Sequence, residues 1–221
     1  MTLKKNVDFK KVHKGLIDNQ GRRKYFKELN PKLLETPFEI PKDSIKKNLR
    51  VLFLMPNFHW IDEDVNALWD LLPWNLCQIA AMIEEISSEV KIIDAYKDNL
   101  SKDDLAKEIK NFNPDIIGIT VLMDQYGEAA HMSAKIAKLV SKNIIVVLGG
   151  VYATANPKRA ITDKNIDYVV IGEGEYVFKQ VIGYYAGACE LPDRGICFNE
   201  SESYLHCCNN YLNGSLPSNQ I

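Results

Sequence analysis

Two glycine-containing segments and one hydroxyl side chain are the residues of this chain whose types and spacing suit the binding of a flat or phosphorylated ligand. Gly149-Gly150 and Gly172–Glu175 (Gly-Glu-Gly-Glu) each follow a run rich in Val and Ile, and Thr120 lies near the end of another such run. Glycine tolerates positive φ and lets a ligand approach the backbone closely. Exposed backbone N–H groups in such loops can bind a phosphate, and a threonine hydroxyl can both donate and accept a hydrogen bond.

A purely conformational interpretation of these segments stays open. Gly149-Gly150 is also what a tight turn from a strand into a loop requires. Gly172–Glu175 is equally compatible with a turn whose acidic residues lie in the first turn of the following helix, where the helix dipole favours negative charge. The segment is not a dinucleotide fingerprint, because that motif follows the first strand of a unit, where this chain has Pro56-Asn57.

Five short apolar runs must position these residues. Continuous runs rich in Val and Ile are typical of strands that are buried on both faces of a parallel sheet. The runs are Val51–Met55, Glu89–Ala95, Asp115–Leu122, Asn143–Leu148 and Ile166–Ile171. Between them lie segments with apolar residues at helical spacing, such as Leu76, Ile79 and Ile83. Ser101 with Asp104 indicates a capping box, and Asn156-Pro157 predicts the start of a short helix.

This alternation predicts an α/β fold with a doubly wound, five-stranded parallel sheet, flavodoxin-like or Rossmann-like, and helices on both faces. In such sheets ligands bind beyond the carboxyl ends of the strands. The loops that can reach a ligand there are Pro56–Asp62, Thr120–Gly127, Gly149–Thr154 and Gly172–Glu175.

Charge and composition divide the chain of 221 residues into three parts. Residues 1–48 are predicted to be a basic N-terminal arm, partly helical or disordered. It is either simply solvated or used to dock a partner. Residues 1–50 carry 14 Lys and Arg against 6 Asp and Glu, whereas the net charge of the whole chain is −2. Residues 49–187 are predicted to be the α/β domain, and residues 188–221 a C-terminal extension.

The totals exclude several classes of function. The near-neutral net charge predicts no nucleic-acid partner, and no apolar run reaches the about 18 residues of a membrane span. The N-terminus has no apolar core of a secretory signal, so we expect a cytoplasmic protein. Five cysteines without an exported context predict free thiols.

Several stretches together resemble the cobalamin-binding domain at the N-terminus of radical-SAM enzymes. They are LGGVYATANP at Leu148–Pro157, DYVVIGEGEYVF at Asp167–Phe178, Pro56-Asn57, and Asn113–Thr120. The resemblance covers about residues 49–200, including Arg194–Phe198. It implies a corrinoid cofactor whose nucleotide tail lies in a slot between the sheet and a helix. The implied binding residues are Pro56, Asn57, Thr120, Leu122, Gly149, Gly150, Thr154, Gly172, Glu173 and Gly174.

The chain departs from the best-known form of that fold after its first strand. The family marker there is Asp-x-His-x-x-Gly, whereas this chain reads Asn57-Phe58-His59-Trp60-Ile61-Asp62. His59 is a candidate cobalt ligand, but the carboxylate that would orient its ring is missing at position 57. The resemblance therefore favours a cobalt without a protein nitrogen ligand, and we expect no metal-binding residue in the chain.

The cysteines do not fit the loop that holds an iron–sulfur cluster in radical-SAM enzymes. Cys77, Cys189, Cys197, Cys207 and Cys208 lack the spacing Cys-x-x-x-Cys-x-x-Cys, so we expect no such cluster. A zinc site built from Cys197 and His206–Cys208 is an alternative with unusual spacing. No complete active site is evident, and the C-terminal extension is expected to begin a linker to an absent catalytic barrel.

The sequence thus favours a corrinoid-binding module that works with a radical-SAM catalytic domain. Whether the chain is an enzyme in its own right stays open. Two other functions also stay open: a degenerate domain that acts through protein contacts, and a flavodoxin-like domain that binds a flavin or another nucleotide.

Overall fold

The computed structural model describes residues 39–61, 73–201 and 204–208, and for residues 199–201 and 204–208 it describes the backbone alone. The described residues belong to one compact unit spanning Ile40–Leu212, apart from Glu39. Most of the predicted basic arm, residues 1–38, lies outside the described residues.

The elements follow one another in the predicted alternation. The strands are β1 (Arg50–Met55), β2 (Glu89–Asp94), β3 (Ile116–Val121), β4 (Ile145–Gly150), β5 (Tyr168–Val170), β6 (Ile196–Ser201) and β7 (Tyr204–Cys208). The helices are α1 (Trp74–Ile83), α2 (Lys102–Phe112), α3 (Gly127–Val140), α4 (Val151–Ala155), α5 (Pro157–Ile161) and α6 (Gly174–Tyr185).

The strands form one sheet in the order β2-β1-β3-β4-β5-β6-β7. The five predicted strands are confirmed, and each pairs in parallel with its neighbour. The predicted count of five is too low, because β6 pairs antiparallel with β5, and β7 pairs antiparallel with β6. The sheet therefore continues beyond residue 187, where the predicted α/β domain ends.

Helices cover both faces of the sheet, as a doubly wound fold requires. Helices α1 and α6 pack against each other on one face, and α2 and α3 pack against each other on the other. The central strands between these layers are fully buried at Leu52, Ile117 and Leu148. Burying each such side chain contributes about 1.5–3 kcal/mol, which is why the β1, β3 and β4 sequences are almost entirely apolar.

The predicted helix ends are present. The Ser101 hydroxyl accepts a hydrogen bond of 3.1 Å from the Asp104 backbone N–H and donates one of 2.7 Å to the Asp104 carboxylate. Helix α2 ends at Asn113, which adopts the left-handed conformation with φ of 49°. Pro157 is the first residue of α5, as the Asn156-Pro157 pair predicts.

The structure also bears on the expectations about free thiols and membrane spans. Cys77 and Cys189 are free, but Cys197 takes part in a disulfide bond, so the expectation of free thiols is wrong for Cys197. Within the described residues, no helix has the length and apolar character needed to cross a membrane.

Candidate functional site

A cavity of about 460 Å³ lies at the carboxyl edge of the sheet, on the face covered by α1 and α6. Its size is within the range typical of small-molecule sites, roughly 300–1,000 Å³. Strands β1, β3, β4 and β5 form one wall and the two helices form the other. The lining includes eight of the ten predicted binding residues, namely Thr120, Leu122, Gly149, Gly150, Thr154, Gly172, Glu173 and Gly174.

The hydroxyl residue and the glycine pair lie side by side at the mouth of this cavity. In the parallel pairing of β3 with β4, Thr120 is opposite Gly149 and Val121 is opposite Gly150. Thr120 is buried, with 3% of its surface exposed. The structure therefore brings together the two features that the sequence places 29 positions apart.

A residue that the sequence did not single out holds the Thr120 hydroxyl in place. The Asn75 side-chain amide, in the first turn of α1, donates a hydrogen bond of 2.8 Å to Thr120 Oγ1. Both residues line the cavity. Because the hydroxyl oxygen accepts from Asn75, the hydrogen of the same hydroxyl is left to donate to a ligand atom.

The two adjacent glycines are there for different reasons. Gly150 has φ of +92°, and a Cβ on it would lie 2.5 Å from the Val121 carbonyl oxygen. A side chain at Gly149 would meet only ordinary contact, since its Cβ would lie 3.9 Å from Val170 Cβ. The backbone thus requires glycine at position 150, whereas at position 149 none of the described residues excludes a side chain.

The floor of the cavity is aromatic and aliphatic. The Phe53 ring of β1 and the Phe178 ring of α6 lie 5.0 Å apart between centroids. Both rings cover Gly118 of β3, where a Cβ would approach each ring to 2.9 Å. Glycine at position 118 therefore lets two aromatic rings close the floor directly over the strand.

The loop after β5 forms the rim of the cavity next to α4. Gly172 has φ of +76°, and its N–H donates a hydrogen bond of 2.9 Å to Thr154 Oγ1. A Cβ on Gly174 would lie 3.5 Å from Ile79 Cδ1, so the start of α6 packs closely against α1. Glu173 and Glu175 lie at this rim and line the cavity.

Helix α4, which carries Thr154, is anchored from behind by a chain of polar contacts. His131 Nδ1 lies 2.7 Å from Asp163 Oδ2, and His131 Nε2 lies 2.8 Å from the Tyr152 hydroxyl. Burial raises the pKa of the Tyr152 hydroxyl above its ordinary value. The Tyr152 ring also packs so closely on Gly127 that a Cβ there would lie 2.5 Å from it. These contacts fix the position of the segment that follows Gly150.

The predicted residues after β1 lie outside the cavity lining. Asn57 is buried, and its side chain donates to Asn99 Oδ1 and to the Leu100 carbonyl, each at 3.0 Å. Its amide oxygen accepts from the His59 backbone N–H at 3.0 Å. The His59 ring stacks on Tyr96 with a centroid distance of 5.0 Å. Pro56 is buried at the end of β1. In this structure Asn57 and His59 thus contact their own loop and the one after β2.

The lining resembles that of a small-molecule binding site. The cavity combines an apolar floor with hydroxyl, amide and carboxylate groups at its mouth. Within the described residues, no three His, Cys, Asp or Glu side chains lie close enough to hold a metal ion. The zinc site considered from the sequence involves His206–Cys208, whose side chains lie outside the described residues.

The chain is similar to a family of binding domains and to several known proteins. The family model of the B12 binding domain matches residues 65–182. An uncharacterized methyltransferase of Pyrococcus horikoshii is 40% identical over 131 residues, which are 58% of this chain and 28% of that protein. The cytidylyl-2-hydroxyethylphosphonate methyltransferase of Streptomyces wedmorensis is 30% identical over 161 residues, 65% of this chain and 30% of that protein. The chain spans less than a third of the length of each of these two relatives.

Solved structures show the same fold at low sequence identity. The radical S-adenosylmethionine methyltransferase TsrM from Kitasatospora setae superposes with a TM-score of 0.60 at 18% identity, covering 75% of this chain and 31% of TsrM. The cobalamin-dependent S-adenosylmethionine radical enzyme OxsB with bound aqua-cobalamin superposes with a TM-score of 0.61 at 18% identity, covering 76% of this chain and 23% of OxsB.

Proposed function

The chain belongs to the B12-binding domain family, and from that membership we propose that it binds a corrinoid whose nucleotide tail occupies the cavity between the sheet and helices α1 and α6. The site residues named below are part of this proposal. A bound corrinoid supplies a cobalt centre for chemistry such as methyl transfer.

The observation that carries the proposal is the open space at Gly149. A Cβ at position 149 would enter the cavity at the mouth, beside Thr120, without striking any residue that the structure describes. Glycine within a strand costs up to roughly 0.5–1 kcal/mol relative to alanine, and the described contacts do not require it here. A flat ligand that slides past this position accounts for the missing side chain.

The groups around this opening match the parts of a nucleotide tail. Thr120, held by Asn75, has a hydroxyl hydrogen to donate to an acceptor atom of the tail. Leu122, Thr154 and the rim residues Gly172, Glu173 and Gly174 enclose the remainder. Gly150 contributes its positive φ at the turn from β4 into α4. Pro56 and Asn57 are buried outside the cavity lining and support the neighbouring loop.

We further propose that the chemistry takes place with a radical-SAM catalytic domain. Several relatives are methyltransferases or S-adenosylmethionine radical enzymes that are much longer than the matched segment.

The test is retention of hydroxocobalamin by the full chain, measured from the visible spectrum after gel filtration. We expect the wild type to keep the corrinoid absorbance and Gly149→Val to lose most of it, with an unchanged melting temperature. Ala81→Val is the matched control, because it adds apolar bulk at an exposed position of α1 outside the cavity lining. Gly150→Val is not suitable, since its positive φ and its contact with Val121 would strain the fold itself.

Other results would point elsewhere. If Gly149→Val kept corrinoid as well as the wild type does, the tail would lie outside the cavity. A wild-type protein that ignores corrinoid but captures a barrel-bearing partner would favour the protein-contact function. Flavin absorbance in the purified protein would favour the flavodoxin-like function.

A further inference from the structure

We propose that the cavity selects among corrinoids by the base at the end of the nucleotide tail, favouring an apolar benzimidazole over a purine. This inference rests on the proposed function, because it assumes that the tail enters the cavity. It adds the chemical class of tail that the cavity accepts.

The register of the strands defines the depth of the cavity. Thr120 and Gly149 form an upper row across β3 and β4. Two residues earlier along each strand, Gly118 pairs with Val147 on one side and with Phe53 on the other, which makes a lower row. With a rise of about 3.3 Å per residue, the lower row lies roughly 6–7 Å deeper, about the width of a bicyclic base.

The upper and lower rows of the cavity differ in the chemistry of their side chains. At the lower row the lining side chains are Phe53, Val147 and the overlying ring of Phe178, which are 1%, 1% and 4% exposed. The backbone groups of this row are engaged in the parallel pairing of β1, β3 and β4. The polar side chains that line the cavity come from strand ends, loops or the first turns of helices: Asn75, Thr120, Thr154, Glu173 and Glu175. The described floor therefore offers neither a donor nor an acceptor.

The two kinds of base differ in the groups that their six-membered rings present. The six-membered ring of dimethylbenzimidazole presents only C–H and methyl groups, whereas that of adenine carries two ring nitrogens and an amino group. Buried on this floor, those polar groups would lose their hydrogen bonds to water without replacement. A water molecule there would also lack the two or more polar partners that keep a buried water in place. An unpaired buried polar group weakens binding by roughly fivefold to a hundredfold.

The test compares three probes on the full chain by equilibrium titration followed in the visible spectrum. They are hydroxocobalamin, the corresponding corrinoid with adenine as its lower base, and cobinamide, which has no base. We expect hydroxocobalamin to bind at least about tenfold more tightly than the adenine corrinoid. Cobinamide should also bind more weakly than hydroxocobalamin.

A substitution on the floor sharpens the test. Val147→Thr adds a hydroxyl to the floor and should reduce the preference for hydroxocobalamin severalfold, because adenine then gains a partner. Val146→Thr is the matched control: Val146 is the neighbouring residue of β4, it is buried, and it does not line the cavity. The control should leave the affinity ratio unchanged. Melting temperatures of both variants report any loss of folding.

Each outcome decides between the two proposals. If both nucleotide-bearing corrinoids bound equally and more tightly than cobinamide, selectivity would be overturned while the tail would still occupy the cavity. Tighter binding of the adenine corrinoid would also overturn selectivity, and would place the base against Glu173 and Glu175. If all three probes bound equally, the tail would not enter the cavity, and the proposed function would lose its site.

Discussion

The loop after β1 and the loops after β3 and β4 leave the same edge of the sheet but are built in opposite ways. After β1, the chain packs against the loop after β2: the Phe58 and Tyr96 rings lie 5.3 Å apart between centroids, and Trp60 Nε1 donates to the Leu100 carbonyl at 3.0 Å. At the end of β4, Gly149 leaves space that no atom of the described part of the chain fills.

This difference shows which half of the edge is prepared for a ligand. A loop whose polar groups are already paired has little to gain from a new partner, because each new hydrogen bond would replace an existing one. A strand end with an open glycine and a hydroxyl hydrogen still to donate can bind a ligand without disrupting the protein. Three changes test this contrast.

The largest effect is expected in the loop after β1. Asn57→Ala removes two donors and one acceptor from a buried site and should lower the free energy of unfolding by about 1–3 kcal/mol. Urea unfolding of the full chain measures this loss. Asn143→Ala, at an exposed position, is the control and should change little. The folded Asn57→Ala protein should keep its corrinoid affinity. A loss of corrinoid without a loss of stability would instead make Asn57 a contact of the cofactor.

The contrast also explains which parts of the fold the sequence could predict. The runs of β1, β3 and β4 are buried on both faces, so their composition alone predicts parallel strands. The segment Ile196–Ser201 mixes apolar and polar residues, so its composition does not predict a strand that is buried on both faces. Whether such a segment joins a sheet depends on its pairing with β5, which is a tertiary interaction without a local signal.

The site divides in the same way. Thr120 and Gly149 could be placed together from the sequence, because parallel strands end at a common edge. Asn75 could not be placed there from the sequence, because its hydrogen bond to Thr120 depends on the rotation of α1 over the sheet. Phe53 and Phe178 look like ordinary core residues in the sequence. Their role as a cavity floor appears only when both rings are seen over Gly118.

A smaller effect is expected from the hydrogen bond at the cavity mouth. Asn75→Asp replaces the amide donor with a carboxylate that only accepts, so the Thr120 hydroxyl turns its hydrogen to the carboxylate instead of the ligand. We expect corrinoid affinity to fall by roughly threefold to tenfold, corresponding to a hydrogen bond of about 1 kcal/mol. Spectroscopic titration measures the change, and Thr120→Val should lower the affinity by a similar amount.

The double variant separates positioning from charge. If Asn75 acts through Thr120, Asn75→Asp combined with Thr120→Val should bind corrinoid no more weakly than Thr120→Val alone. A further drop in the double variant would mean that the new carboxylate repels the phosphate of the tail directly. In that case Asn75 would not be a positioning residue for the hydroxyl.

The smallest effect is expected at His59, and it bears directly on the cobalt. The His59 ring stacks on Tyr96 and does not line the cavity, so His59→Ala should cost at most about 1 kcal/mol of stability, as expected for loss of one ring pair. The visible spectrum of the bound corrinoid should stay unchanged, because an imidazole that never reaches cobalt cannot alter its ligand field. Trp60→Leu perturbs the same loop without touching an imidazole and is the control. A spectral shift in His59→Ala that Trp60→Leu lacks would establish His59 as a cobalt ligand, and the loop after β1 would then have to open when the cofactor binds.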